Sequence, residues 1–313
     1  SSCAIDEMTH GRNSARHNKQ ELQVRRMTTD KKVLLAVLAH PDDETFGTGG
    51  TLAIYARQGV EVHLICATRG EVGEMDPKYM RGFSSVAERR ENELRCAAEL
   101  LGLAGVHFLN YRDSGMPGSP DNQHPQALVA QPQDKVAAEI AHYIRELKPQ
   151  VVITFDPIGG YRHPDHIAIH NATVQAFEDA GKASLPGETL PPFQPQRLYF
   201  HTIPRGFLKF MVRVMPLFGR NPRKFGTNGD IDLVSIAEVN YPTHASIDYR
   251  PVSAIRDQAS ACHASQGGGS ITGSGIFGYV RRAVMSSEKY MRAYPPPQPR
   301  ERVIHDLFDG VSL

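Results

Sequence analysis

The chain reads as an α/β protein: a Rossmann-like, mostly parallel sheet with helices on both faces and extra C-terminal elements. Three observations predict this. Strand-length apolar runs recur at 33–39 and 151–155. Segments with apolar residues at helical spacing lie between such runs. The order strand, loop, helix repeats along the chain, as parallel sheets require.

In order, residues 33–39 form the first strand and 45–58 a helix that Gly59 can stop. Residues 61–67 are the second strand. A helix over 84–101 has Ser84 or Ser85 to cap it, an apolar face of Val86, Leu94, Ala97, Ala98 and Leu101, and Gly102 to end it. A short third strand at 106–109 precedes a helix at 134–147, stopped at Lys148-Pro149. Residues 151–155 are the fourth strand, and 164–180 a helix with Pro164 in its first turn. Beyond residue 181 the pattern weakens. Pro186, Pro191, Pro192 and Pro195 mark a loop; 197–203 and 231–239 read as strands and 251–265 as a helix. The Gly/Ser-rich stretch 267–278 reads as a loop. Residues 1–30 are polar and aperiodic and read as a disordered tail, within which Met27 could be the natural start. One domain is expected over 31–294, followed by an extended tail at 295–313 that opens on Pro295-Pro296-Pro297.

The 313 residues carry a net charge of +1, so no strong overall field draws the chain to nucleic acid or a membrane. No basic stripe with interleaved aromatics stands out, and nucleic acid is not an expected partner. The apolar run at 33–39 is far shorter than the roughly 20 residues of a membrane helix, and no apolar signal core precedes it. Cys3, Cys66, Cys96 and Cys262 form no CxxC pair. Cys66 and Cys96 read as buried free thiols, which points to a reducing, cytoplasmic setting.

The chemistry lies behind the apolar runs. In an open parallel sheet, ligands bind beyond the carboxyl ends of the strands. Strand one delivers His40, Asp42, Asp43 and Glu44; strand two, Arg69 and Glu71; strand three, Asp113; strand four, Asp156, Tyr161, His163, Asp165 and His166. Zinc takes imidazole nitrogen and carboxylate oxygen, with three protein ligands and water at a catalytic site. His40 and Asp43 from one loop, closed by His166 from another, make such a set. His163 and His166, three apart on a helical turn, can face the same point. Neighbouring carboxylates diverge, so Asp42 is left free beside Asp43 for proton transfer. Asp165 can fix a histidine tautomer or sit as a helix N-terminal acid. Arg90 falls on an apolar helix face, where a charge needs a partner or a cleft; Glu93 and Glu71 are the candidate partners.

These residues resemble the LmbE-like (PIG-L) family of zinc-dependent N-acetylglucosaminyl deacetylases. The resemblance rests on Ala39-His40-Pro41-Asp42-Asp43-Glu44 and on Gly159-Gly160-Tyr161-Arg162-His163-Pro164-Asp165-His166. Ala67-Thr68-Arg69-Gly70-Glu71, Asp113-Ser114-Gly115-Met116 and His263-Ala264-Ser265-Gln266 extend it over roughly 31–270, with the motifs nearest the mycothiol-precursor branch. The resemblance implies His40, Asp43 and His166 as metal ligands, for zinc or with Fe²⁺ as an alternative. It implies Asp42 as general base, His163 as stabiliser of the charged intermediate and a candidate proton donor to the leaving amine, and Tyr161 as polariser of the carbonyl. It implies Arg90 and Asp113 as substrate contacts, and the matching Arg69 and Glu71 are expected to bind substrate beside them. Arg162 departs from the small residue common there. The expected reaction is removal of an acetyl group from an N-acetylated amino sugar. An amidase for larger conjugates and a non-catalytic metal-binding protein are the alternatives. A nucleotide site at Gly47-Thr48-Gly49-Gly50 is disfavoured because the string is not GxGxxG.

Overall fold

The computed structural model describes residues 31–203, 205–225, 229, 231–268 and 286–313. Its strands are β1 (Val33–Leu38), β2 (Glu61–Thr68), β3 (Gly105–Tyr111), β4 (Val151–Phe155), β5 (Arg197–Thr202), β6 (Ala245–Asp248) and β7 (Ser287–Tyr294). They form one sheet in the order β3-β2-β1-β4-β5-β7-β6. β1 to β5 pair in parallel, while β7 runs antiparallel to both β5 and β6. β1 and β4 are buried along their whole length, which is why both appear as unbroken apolar runs.

The helices are α1 (Asp43–Arg57), α2 (Val86–Leu101), α3 (Gln133–Leu147), α4 (Gly159–Arg162), α5 (Pro164–Asp179), α6 (Arg205–Val214), α7 (Leu233–Glu238) and α8 (Ser253–Cys262). α3 and α5 pack together, as do α1, α2 and α8, giving a layer on each side of the sheet. Local chemistry sets their ends. The Ser85 hydroxyl accepts the Glu88 N–H at the start of α2, and Gly102 closes it at φ 77°.

The C-terminal third differs from the sequence reading. Residues 231–239 hold the helix α7, not a strand: Asp232 caps it, and Leu233, Ile236 and Ala237 bury one helical face. α6, β6 and β7 were not anticipated. In β7 the inward residues are Glu288, Tyr290 and Arg292, so polar side chains replace the usual apolar alternation. Residues 295–313 are held against the domain rather than trailing: Ile304 bridges Ala245, and Leu307 and Phe308 are buried. Most of 267–278, and all of 1–30, lie outside the described residues. No helix among the described residues is long and apolar enough to cross a membrane.

Cysteine pairing also differs. Cys66 is free and buried as expected, but Cys96 on α2 is bonded to Cys262 on α8 across 166 residues. The cysteines therefore do not argue for a reducing compartment. Such long-range pairing has no spacing signature in a sequence.

The Gly47-Thr48-Gly49-Gly50 string lies within α1, not in a phosphate loop. The Gly50 and Thr51 N–H groups donate to the buried Glu288 carboxylate at 2.9 and 2.7 Å. A Cβ on Gly50 would fall 2.3 Å from the Tyr249 Cβ. Alanine is worth about 1 kcal/mol over glycine in a helix; overpacking a core contact costs about 1–3 kcal/mol. Because the opposing atom sits next to backbone, the clash should win. Gly50→Ala should lower the urea unfolding midpoint; a raised midpoint would show that this contact yields.

Candidate metal centre and active site

The strand order reverses between β1 and β4, where successive connections leave for opposite faces of the sheet. A crevice opens beyond the strand ends at such a point. β1 delivers His40 to Asp43 into it, β4 leads to α4 and the first turn of α5, and β3 leads to Asp113 and Ser114. Gly159 allows the closest approach: a Cβ there would lie 2.7 Å from the His166 Cβ.

The crevice joins segments 126 residues apart. His40 Nδ1 lies 3.1 Å from His166 Nε2. Asp43 Oδ2 lies 3.4 Å from His40 Nδ1, and Asp43 Oδ1 lies 3.3 Å from His166 Nε2. Donors about 2.0–2.1 Å from a tetrahedral centre stand about 3.4 Å apart. Each imidazole nitrogen thus has an Asp43 oxygen at about the donor spacing of a small-cation site, His40 through Oδ2 and His166 through Oδ1. Two sets, His40/His163/His166 and His40/Asp113/Asp165, bring one ligand atom from each residue within 4.8 Å of one another. Two features favour Asp43 as the candidate third donor. His163 Nδ1 already accepts the Asp165 N–H at 3.2 Å, and the atom that Asp113 and Asp165 face is the opposite nitrogen of His40.

The outer nitrogens decide which inner ones are free. His40 Nε2 lies 3.1 Å from Asp165 Oδ2 and 3.5 Å from Asp113 Oδ1. His166 Nδ1 lies 3.2 Å from the Gly159 carbonyl. A ring proton on each outer nitrogen leaves His40 Nδ1 and His166 Nε2 as lone-pair donors. Burial lowers the His40 pKa, but Asp113, Asp165 and Asp43 outweigh it and hold it well above its ordinary value. Burial would raise Asp43, but His166 and His40 hold it well below the carboxylate range. The carboxylates thus demand positive charge here, from a proton or from a cation. Asp165 is fully buried and is itself held by the Ser114 N–H at 2.9 Å and by the Ser114 hydroxyl.

Asp42 faces the crevice from a strained backbone, φ 130°. Its N–H donates to Glu44 Oε2 at 2.9 Å, and Arg90 Nη2 reaches its Oδ2 at 3.0 Å. Burial pushes the Asp42 carboxyl up to about 6; Arg90 opposes this and Asp43 adds to it. Arg90 pairs with neither Glu93 nor Glu71. Besides Asp42 it donates to the Pro41 and Gly70 carbonyls at 2.7 and 3.1 Å, and it is buried. It braces the Asp42 loop from behind. Glu44 is braced in turn by His263, whose Nε2 lies 2.6 Å from Glu44 Oε1, with both side chains fully buried. Sequence reasoning placed His263 only in a motif. Its partner is 219 residues away, and nothing in the local pattern names it.

The remaining expected residues divide. Tyr161 and His163 stand beside the cluster, with ring centroids 4.9 Å from His166 and 4.5 Å from His40. Burial raises the Tyr161 phenol far above its usual range, so it stays a neutral donor. Burial, then the neighbouring His40 and His166, push His163 far below its ordinary value. Asp113 faces His40 and accepts the Gly115 N–H at 2.8 Å, while Glu71 accepts the Asp113 N–H at 3.0 Å. Arg69 is turned away from the crevice. It bonds Glu91 at 2.6 Å and Asn110 at 2.7 Å and stacks on Phe108. Arg162 is exposed at φ 69°. His201, at the end of β5, was not anticipated; burial drives its pKa down to about 4, against the pull of Asp43.

Removing the charge on Asp165 should loosen the cation without unfolding the domain. Asp165→Asn should weaken metal affinity by about 10–100-fold, the usual effect of losing a partner to a ligating histidine. Competition with a chelator measures this, and unchanged affinity would mean that His40 does not depend on Asp165.

The sequence profile of the family described as PIG-L, GlcNAc-PI de-N-acetylase, matches residues 35–177. Over 315 residues the chain is 36% identical to a 1D-myo-inositol 2-acetamido-2-deoxy-α-D-glucopyranoside deacetylase of Tsukamurella paurometabola, covering 89% of this chain and 99% of that one. A deacetylase of the same name from Thermobifida fusca is 43% identical over 195 residues, covering 59% of this chain and 67% of the relative. Among solved structures, the N,N'-diacetylchitobiose deacetylase of Pyrococcus horikoshii shares the fold at a TM-score of 0.55 and 19% identity, covering 92% of this chain and 94% of that one. Matching motifs, fold and similarity along most of its length together place the chain in the PIG-L family.

Proposed function

We propose that the protein hydrolyses the acetamide of an N-acetylglucosamine unit linked to inositol, releasing acetate and the free amine, with zinc as its metal. The family's chemistry is metal-dependent removal of an acetyl group from an N-acetylated amino sugar. The inositol glycoside is supported by similarity to deacetylases of 1D-myo-inositol 2-acetamido-2-deoxy-α-D-glucopyranoside over most of the chain. The observation that carries the proposal is the pairing of a three-donor cluster with one neighbouring carboxylate that is not part of it.

His40 Nδ1, Asp43 and His166 Nε2 would hold the ion. Two imidazole nitrogens and one carboxylate oxygen suit zinc, and Fe²⁺ accepts the same donors. When bound, the cation supplies Lewis acidity, making water more acidic and the acetamide carbonyl more electrophilic.

The protein's own groups do the rest. Arg90 occupies Asp42 Oδ2 and leaves Oδ1 for the attacking water. A carboxyl raised to about 6 is a base matched to neutral pH. Asp42 takes the water's proton as oxygen bonds to the carbonyl carbon, then passes it to nitrogen as the C–N bond breaks. His163 accepts a backbone N–H at Nδ1, so its own proton is on Nε2. A neutral imidazole with Nε2–H is a donor to the oxygen that gains charge, and the Tyr161 hydroxyl is a second.

Metal analysis with an acetate-release assay tests this. His166→Ala should lose both metal and rate; full metal content would remove His166 from the ligand set. Asp42→Asn should keep its metal and lose about 10²–10⁴-fold in rate, the span typical of a general base. Retained turnover would assign proton transfer elsewhere. Preference for the inositol glycoside over free N-acetylglucosamine and chitooligosaccharides is expected, and the reverse order would reject the substrate.

A further inference from the structure

A basic, apolar projection stands on the same edge of the sheet as the metal cluster. α6 begins just beyond β5, at the strand end that carries His201. Its inner face is anchored: Leu208 and Met215 are buried, and Met211 and Val212 pack with them. Tyr161 and Ile158 of the active-site connection belong to the same apolar cluster, so α6 is fixed to the active-site rim.

The outer face has no cover among the described residues. Phe210 is 60% exposed, and the tight turn that follows α6, Met215–Phe218, lifts Leu217 and Phe218 to 81% and 76% exposure. Gly219 closes that turn in the left-handed region. From 203 to 229 the sequence contains six Lys and Arg and no Asp or Glu, in a chain whose total charge is only +1. Arg223 pairs with Asp232, while Lys209, Arg213, Arg220 and Lys224 are exposed and make no ion pair among the described residues. This is the basic stripe with interleaved aromatics that sequence reading missed. The charge of the whole chain is nearly balanced, and the stripe becomes a surface feature only once the apolar anchors are known to face inward.

We propose that this projection docks the protein on an anionic lipid bilayer, with Leu217, Phe218 and Phe210 entering the headgroup–acyl boundary and the four exposed cations meeting lipid phosphates. A helix apolar on one side, basic around its exposed aromatics and ending in an apolar tip has the form of an interfacial anchor. Protruding side chains at a turn suit a soft surface that closes around them. Local cations supply the second of the two signals that stable attachment needs. Docked this way, the rim bearing Tyr161 faces the membrane, so acetamides would be taken from, or products released to, the layer next to the bilayer.

Co-flotation of the full chain with vesicles tests this, using phosphatidylcholine alone or mixed with phosphatidylglycerol. Binding is expected only to the mixture, and raised salt should reverse it. Lys209→Ala and Arg220→Ala should each weaken binding by about fivefold, the value of one cation near an anionic surface. Leu217→Ser with Phe218→Ser should weaken it by about tenfold or more. All three variants should leave acetate release from a soluble substrate intact, which separates failure here from failure of the proposed reaction. No binding to the anionic mixture would overturn the proposal. So would light scattering that finds a dimer which Leu217→Ser with Phe218→Ser dissolves, since a second copy would then be the occupant.

Discussion

Four carboxylates and three imidazoles share one crevice, and none of them is tolerable there alone. Asp43, Asp113 and Asp165 surround His40, while His163 and His166 lie against it. An ionised carboxylate in such a place costs several kcal/mol unless a positive charge answers it. The arrangement answers it twice, through ring protons on the outer nitrogens and through a cation-sized face of lone pairs on the inner ones. The fold makes this possible, because only at the reversal between β1 and β4 do the two loops emerge side by side.

Selectivity among the carboxylates follows from what holds each one. Asp43 is turned to two imidazoles that hold it well below the carboxylate range, whereas Asp42, one residue earlier, meets an arginine and a desolvated wall that pushes it up. The backbone separates them: φ 130° at Asp42 swings its side chain out of the plane that Asp43 occupies. Strain of that kind persists only where surroundings enforce it. Here Glu44 takes the Asp42 N–H, and His263 from α8's C-terminal end holds Glu44. A segment near the end of the domain thereby steadies a residue near its beginning. The Cys96–Cys262 bond fastens α8 to α2, immediately beside His263, and the Ser265 hydroxyl on the Glu93 carboxylate adds a second tie.

Much of this was legible in the residues. β1 and β4 are wholly buried, so hydrophobicity alone marked them, and the ligand-type residues directly behind them marked the cluster. The helical face of α2 placed Arg90 inward but could not say that its partner was Asp42, 48 residues earlier. Arg69 looked like a substrate group because of its motif, and only its neighbours on α2 and β3 show it turned aside. β7 was hidden because Glu288, Tyr290 and Arg292 face inward, and those polar side chains have partners in α1 and in the last residues of the chain. α7 looked like a strand because six residues are too few for a period to register. Its cap and its Leu233, Ile236, Ala237 spacing were helical throughout.

The ligand set admits a direct observation. A crystal of the metal-loaded protein, with anomalous data on both sides of the zinc absorption edge, locates the ion without reference to activity. The expected peak lies within bonding reach of His40 Nδ1, one Asp43 oxygen and His166 Nε2, with Asp42 close by but unbonded. A peak between His40 Nε2, Asp113 and Asp165, or one with Asp42 in its coordination shell, would contradict it.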